Sequence, residues 1–166
     1  MNAGAYGCEV KDRLLHAIAL SPEGILHTVP VADIGYYYRG HSLPPGWIFV
    51  SATFALEPGD PHAITNHMET IMEKRTATQP VRSRTAGSTF RNPPGAKVWE
   101  FIDKVGLRGK IIDGAQFSEL HCNFMINTGA ATAAALEQLG ELAREKVLAE
   151  YGITLQWEVV RLGRTT

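Results

Sequence analysis

The chain has 166 residues and a mass of 18.2 kDa, enough for one domain or two small ones. Hydrophobic residues make up 45% and charged residues 20%, a globular usage that excludes disorder, collagen and coiled coil for the whole chain. Sixteen basic against seventeen acidic residues leave a net charge of −1, so no broad cationic surface for nucleic acid is implied.

The opening Met1-Asn2-Ala3-Gly4-Ala5-Tyr6-Gly7 carries no helix or strand signal. Its small residues allow close backbone approach or positive φ, which is unusual in a dispensable terminal tail. Arg13 to Leu20 suits a strand, Ser21-Pro22-Glu23-Gly24 a turn, and Ile25 to Val29 the returning strand of a hairpin. Three consecutive tyrosines, Tyr36 to Tyr38, cannot share one face of a strand because side chains alternate. His41 to Gly46 reads as loop, and Trp47 to Leu56 as a strand rich in aromatic and β-branched residues.

Glu57-Pro58-Gly59-Asp60-Pro61 punctuates the chain. Asp60 suits a helix cap and Pro61 a first turn, with Ile64, Met68, Ile71 and Arg75 at helical spacing to an end near Ala77. Met68, Ile71 and Met72 are expected in a core. The polar Thr78 to Arg84 stretch suggests a domain junction. Gly87 to Gly95 reads as a loop. Val98, Phe101, Ile102 and Val105 mark a short helix stopped by Gly106. Residues 110–112, 115–117 and 124–126 look extended, and an amphipathic helix runs from about Ala131 to Tyr151. Ile153 to Val159 alternates like a half-buried strand, with Leu155, Trp157 and Val159 inward and Thr154, Gln156 and Glu158 outward. Helices and strands mix without βαβ rhythm, so the class is α+β.

Cys8 and Cys122 form no CxxC and read as reduced thiols. The six histidines form no ligand-spaced cluster, so no metal is assigned; His121 is read as making a structural hydrogen bond. No apolar run approaches the ~20 residues needed to span a membrane, and Met1 to Glu9 lacks signal-peptide character. Three places could carry chemistry. Gly87-Ser88-Thr89-Phe90-Arg91-Asn92-Pro93 could present a hydroxyl, a cation and an amide, although it is neither a hydrolase elbow nor a P-loop. Tyr38-Arg39 could bind a carboxylate. Glu158 lies on the polar side of the last segment, where a glutamate is ordinarily solvated.

These segments occur in one order with Gly114-Ala-Gln-Phe-Ser118, His121, Asn123 and Leu155-Gln-Trp-Glu-Val-Val-Arg161. The series resembles the C-terminal part of the UDP-N-acetylenolpyruvoylglucosamine reductases, flavoenzymes of bacterial cell-wall synthesis. The resemblance covers nearly the whole chain but not the glycine-rich pyrophosphate loops of the family's N-terminal subdomain. It implies that residues 1–79 are the C-terminal part of an FAD-binding α+β region and residues 80–166 a small α+β substrate-binding domain. Material missing before Met1 would make this a truncated chain, a partial gene or a mis-set start. By the same resemblance Ser88 is the proton donor, and Arg39 and Glu158 act at the substrate carboxylate. Asn2, Ala3, Gly4, Ala5, Tyr6 and Gly7 border the cofactor; Tyr38, Arg91 and Asn92 contact the nucleotide-sugar. The implied partners are FAD, NADPH as hydride donor and UDP-N-acetylglucosamine enolpyruvate, in the cytoplasm. The rival expectation is an inert UDP-sugar-binding module without flavin.

Overall fold

The structure, a computed structural model, describes residues 1–163. Its contacts define two compact units, Met1–Pro61 and a second beginning at His62.

The first unit starts with a small hairpin, β1 (Gly4–Ala5) and β2 (Cys8–Glu9). Tyr6 and Gly7 turn it with φ of 54° and 80°, the two positive values that a two-residue type I′ turn requires. The opening segment is therefore ordered structure built around its glycines. A 3₁₀ turn over Val10–Asp12 follows, then β3 (Leu14–Leu20) and β4 (Leu26–Pro30), joined at the predicted turn. One helical turn, α1 (Val31–Ile34), stops at Gly35, which is left-handed at φ 62°. The last strand, β5 (Ile48–Phe54), returns alongside β3 and gives the antiparallel order β4-β3-β5. Leu14, Ala17, Ala19 and Val29 on this sheet pack with Ile34 into a small core, flanked by Tyr36, Leu43 and Trp47.

The second unit opens with α2 (Pro61–Thr78), starting at the predicted proline. No residue of α2 is buried; Met68 and Met72 are 62% and 54% exposed and Ile71 is partly so, so the expected core role fails in this chain. Helical spacing identifies an apolar stripe but not what covers it. The remaining elements are β6 (Thr85–Ser88), α3 (Val98–Lys104), β7 (Ile111–Ile112), β8 (Ala115–Phe117), β9 (Phe124–Asn127) and α4 (Ala133–Tyr151). The strands form an antiparallel sheet ordered β6-β9-β8-β7. Its core joins Ala115 and Phe117 to Val98 and Ile102 of α3 and to Ala135, Leu139, Ala143 and Val147 of α4. Thr132 caps α4 by accepting the Ala135 N–H at 3.1 Å, and Gly152 ends it at φ 67°.

Two expectations change here. Gly87 and Ser88 belong to β6 rather than to a loop; Gly87 reaches φ 89° where the pairing with β9 is irregular. The Ile153 to Val159 stretch is extended but forms only one bridge, Trp157 to Phe90, instead of a strand. Its alternation survives in part: Leu155 is buried and its neighbours Thr154 and Gln156 are exposed. Among the described residues no helix is long and apolar enough to cross a membrane.

Candidate active site

In the first unit, Arg39 and the opening hairpin are one assembly. Arg39 has φ 55° in a turn closed by paired hydrogen bonds between Tyr37 and Gly40. A Cβ on Gly40 would lie 2.2 Å from the Tyr37 ring, so a larger residue here would displace that ring. The turn delivers the Arg39 guanidinium to the carbonyls of Asn2 and Gly4, to which it donates at 3.4 and 3.5 Å. It also lies 4.8 Å from the Tyr38 ring centroid, a cation–π arrangement.

Asn2 is buried, and its carboxamide is committed within the protein. It donates to Glu9 at 2.9 Å and to the Tyr37 carbonyl at 3.3 Å, and accepts from the Lys11 N–H at 3.1 Å. Hydrogen bonds from Lys11 and Asn2 hold the Glu9 carboxyl below its ordinary pKa. Asn2 thus shapes the hairpin from inside. Ala3, Ala5, Tyr6 and Gly7 are exposed on its outer side, with Tyr6 the one large side chain among them. Small side chains over a rigid backbone allow close approach of a flat ring system, so these residues fit one flank of a flavin site.

In the second unit, Ser88 ends β6 opposite Phe124 of β9. The backbone beyond it is clamped from two sides. Asn123 acts as a strand mimic: its side chain accepts from the Phe90 N–H at 3.0 Å and donates to the Phe90 carbonyl at 2.9 Å, while its own carbonyl accepts from Thr89 at 2.7 Å. On the other side the Arg91 backbone N–H donates to the Gln156 carbonyl at 2.8 Å, and the Glu158 N–H donates to the Thr89 carbonyl at 2.9 Å. The structure therefore brings Ser88 and Glu158 onto neighbouring segments. Glu158 is half-buried rather than fully solvated.

Asn92 turns its carbonyl oxygen to the Val98 N–H at the start of α3, 3.0 Å away, which fixes the loop and leaves its amide N–H₂ as the group to offer a ligand. Arg91 holds a buried Nε with no hydrogen-bond partner among the described residues. A buried donor left unmatched is costly, so a ligand acceptor here would remove a penalty. Gly87 and Thr89, which flank Ser88, line a cleft of about 440 Å³ with Arg84, Leu136, Trp157 and Arg161. Ser88 itself does not line this cleft.

His121 sits against Trp99 and Phe124, and its Nδ1 accepts the Asn123 N–H at 3.4 Å, in keeping with a structural role. Burial lowers its pKa, helped by nearby Arg108. Among the described residues no three His, Cys, Asp or Glu side chains are grouped to hold a metal. Two structural roles escaped sequence reading, although Asn123 stands in the ordered series of segments. Asn123 matters for its carboxamide pairing with a distant loop, which no periodicity reveals. Gly140 lies inside α4 because the Trp157 ring rests on it; a Cβ there would be 2.0 Å from that ring.

Comparison with known proteins agrees with this architecture. Residues 79–162 match the family model described as "UDP-N-acetylenolpyruvoylglucosamine reductase, C-terminal domain". A reductase of that name from Erythrobacter litoralis is 50% identical over 164 residues, covering 99% of this chain and 51% of the relative. One from Novosphingobium aromaticivorans is 51% identical over 164 residues, covering 99% and 55%. The crystal structure of UDP-N-acetylenolpyruvylglucosamine reductase from Thermus caldophilus superimposes with a TM-score of 0.81 at 32% identity, covering 95% of this chain and 57% of that one. The chain belongs to the UDP-N-acetylenolpyruvoylglucosamine reductase family, of which it carries the C-terminal domain. It spans about half the length of the curated relatives it matches.

Proposed function

We propose that this chain supplies the substrate-binding part, and one flank of the flavin site, of an NADPH- and FAD-dependent reductase. That enzyme converts UDP-N-acetylglucosamine enolpyruvate to UDP-N-acetylmuramate in cytoplasmic peptidoglycan synthesis. In this reading residues 1–79 belong with the FAD-binding region and 80–166 with the substrate. The observation that carries it is the clamp that holds Thr89 to Arg91, the residues directly after Ser88, against the Glu158 segment within a domain matched by the family model.

When bound, reduced flavin supplies a hydride to the terminal carbon of the enolpyruvyl double bond. Negative charge then develops at C2 and spreads into the carboxylate. Ser88 gives its hydroxyl proton to C2; a serine is a weak acid, and a carbanion or enolate is basic enough to take it. Arg39 stabilises the charge on the carboxylate. Glu158 helps only when protonated or tightly paired, since a free carboxylate would repel the developing charge. Arg91, Asn92 and Tyr38 hold the nucleotide-sugar. Ala3, Gly4, Ala5, Tyr6 and Gly7 border the flavin, with Asn2 keeping that segment in shape.

The test is titration of this chain with UDP-N-acetylglucosamine enolpyruvate by calorimetry. Saturable binding is expected, weakened about tenfold or more by Arg91→Met, as follows from losing a charged hydrogen-bond donor. No binding to a chain shown folded by circular dichroism, or binding indifferent to Arg91 and Asn92, would overturn the reading.

A further inference from the structure

We propose that Asn123 is a positioning residue for proton delivery: it sets the place of Ser88, while other contacts set the grip on the nucleotide-sugar. The inference rests on the reading above, in which Ser88 is the proton donor. Ser88 follows an irregular stretch of β6. The pairing with β9 shifts register between Thr85 and Ser88, and Gly87 stands at φ 89°. The ladder therefore gives Ser88 little hold on its N-terminal side. On its C-terminal side the hold is Asn123. Its carbonyl accepts the Thr89 N–H at 2.7 Å, its Oδ1 accepts the Phe90 N–H at 3.0 Å, and its Nδ2 donates to the Phe90 carbonyl at 2.9 Å.

A carboxamide can do this because it carries a donor and an acceptor side by side, as the backbone of a strand does. Asn123 is 3% exposed, so water cannot take its place. It is also firmly seated. The neighbouring Cys122 is in the core and donates its thiol to the Trp99 carbonyl at 3.0 Å, and Phe124 on the other side begins β9. Arg91 and Asn92, the groups assigned to the substrate, have further anchors. The Arg91 backbone N–H donates to the Gln156 carbonyl at 2.8 Å, and Asn92 Oδ1 accepts the Val98 N–H at 3.0 Å. Loss of the Asn123 carboxamide should therefore move Ser88 more than it moves the binding groups. A misplacement of ~1 Å at a reacting group costs on the order of 10²-fold in rate.

Asn123→Asp is the sharpest probe. The ionised carboxylate still accepts the Phe90 N–H but opposes the Phe90 carbonyl; the protonated acid restores both bonds in the shape of asparagine. Burial and that carbonyl raise the pKa of the introduced acid. The measurement uses this chain joined behind the N-terminal half of the Erythrobacter litoralis relative, with both flavin half-reactions followed by absorbance. Each variant is referred to wild type at the same pH, so that other ionisable groups, His121 beside Asn123 among them, cancel. At about pH 8, Asn123→Asp should slow reoxidation by UDP-N-acetylglucosamine enolpyruvate on the order of 10–100-fold, with reduction by NADPH unchanged. Calorimetric affinity for that substrate should change by less than about threefold, the pattern of a group that acts in the transition state and not in binding. At about pH 6, reoxidation should return to within about threefold of wild type as the acid takes up its proton. Asn123→Ala, which has no acid, should stay slow at both. Affinity lost in step with rate, slowing of both half-reactions, no recovery of Asn123→Asp at the lower pH, recovery of Asn123→Ala, or variants that circular dichroism shows unfolded would each overturn the proposal and leave Ser88 as the donor. Reoxidation of Ser88→Ala at the wild-type rate would instead remove the reading on which it rests, and the proposal with it.

Discussion

Gly140→Ala probes how the last segment is seated. A Cβ at this position in α4 would meet Trp157 Cη2, Cζ2 and Cζ3 at 2.0, 2.7 and 3.0 Å. The ring would have to withdraw by about 1.4 Å to reach ordinary contact at 3.4 Å. It is held where it is by Phe90, 4.8 Å away between centroids, and by its Nε1 donation to Glu141 at 3.2 Å. Overpacking of this kind costs ~1–3 kcal/mol. Alanine in place of glycine in a helix interior returns ~1 kcal/mol, so the single variant should lose about 1 kcal/mol. In a Trp157→Leu background the clash is gone, and Gly140→Ala should instead stabilise by up to ~1 kcal/mol. Urea unfolding of the four proteins gives a coupling energy, expected at ~1–3 kcal/mol. Equal stabilisation by Gly140→Ala in both backgrounds would refute the seating of Trp157, and with it the placement of Glu158 next in the chain.

Cys8 is exposed and Cys122 is buried with its thiol pKa raised by desolvation; one thiol should react with a disulfide reagent at once and the second only on unfolding, and two fast thiols would contradict the packing. Burial lowers the pKa of folded His121 below the ordinary 6.5, so the unfolded chain binds the proton more readily; its contribution to stability is present above 6.5 and lost as pH falls through the folded pKa. His121→Gln should therefore shrink the stability difference between about pH 7.5 and pH 5.5 in urea unfolding, and an unchanged difference would show the imidazole to be solvated. The first unit presents only a flank of the proposed flavin site, and ligand pockets bury most of their ligand; this chain alone should not retain FAD through gel filtration, and a stoichiometric yellow chromophore would disprove that.

Strand β3 and helices α3 and α4 could be read because each buries one face, and burial imprints a period of two or near 3.6 on the residues; β5, exposed throughout, could be read from its aromatic and β-branched residues. Other features depend on what lies across space. Gly87 reads as a loop-former, yet the Asn123 clamp and β9 hold it in a strand. The clean alternation of Ile153 to Val159 reflects Leu155 in the core, but with one bridge to Phe90 the segment never becomes a strand. Met68 and Met72 lie on an apolar stripe whose cover is not within the described residues. For the candidate site, residue chemistry singles out Ser88, Arg39 and Glu158, and their roles rest on the ordered motifs that resemble a family, not on periodicity. The positioning roles of Asn123 and Gly140 at the Ser88 and Glu158 segments come from long-range contacts, which leave no local periodicity.

The central claim, proton donation by Ser88, is tested by placing this chain behind the N-terminal half of the Erythrobacter litoralis relative and following flavin absorbance by stopped flow. Reduction by NADPH and reoxidation by UDP-N-acetylglucosamine enolpyruvate are measured separately for wild type, Ser88→Ala and Ser88→Cys. The account predicts near-normal reduction in all three. Ser88→Ala should slow reoxidation by ~10²–10⁴-fold, the range for a lost general acid, and Ser88→Cys should recover part of the rate. Equal slowing of both half-reactions, or reoxidation unchanged in Ser88→Ala, would contradict it.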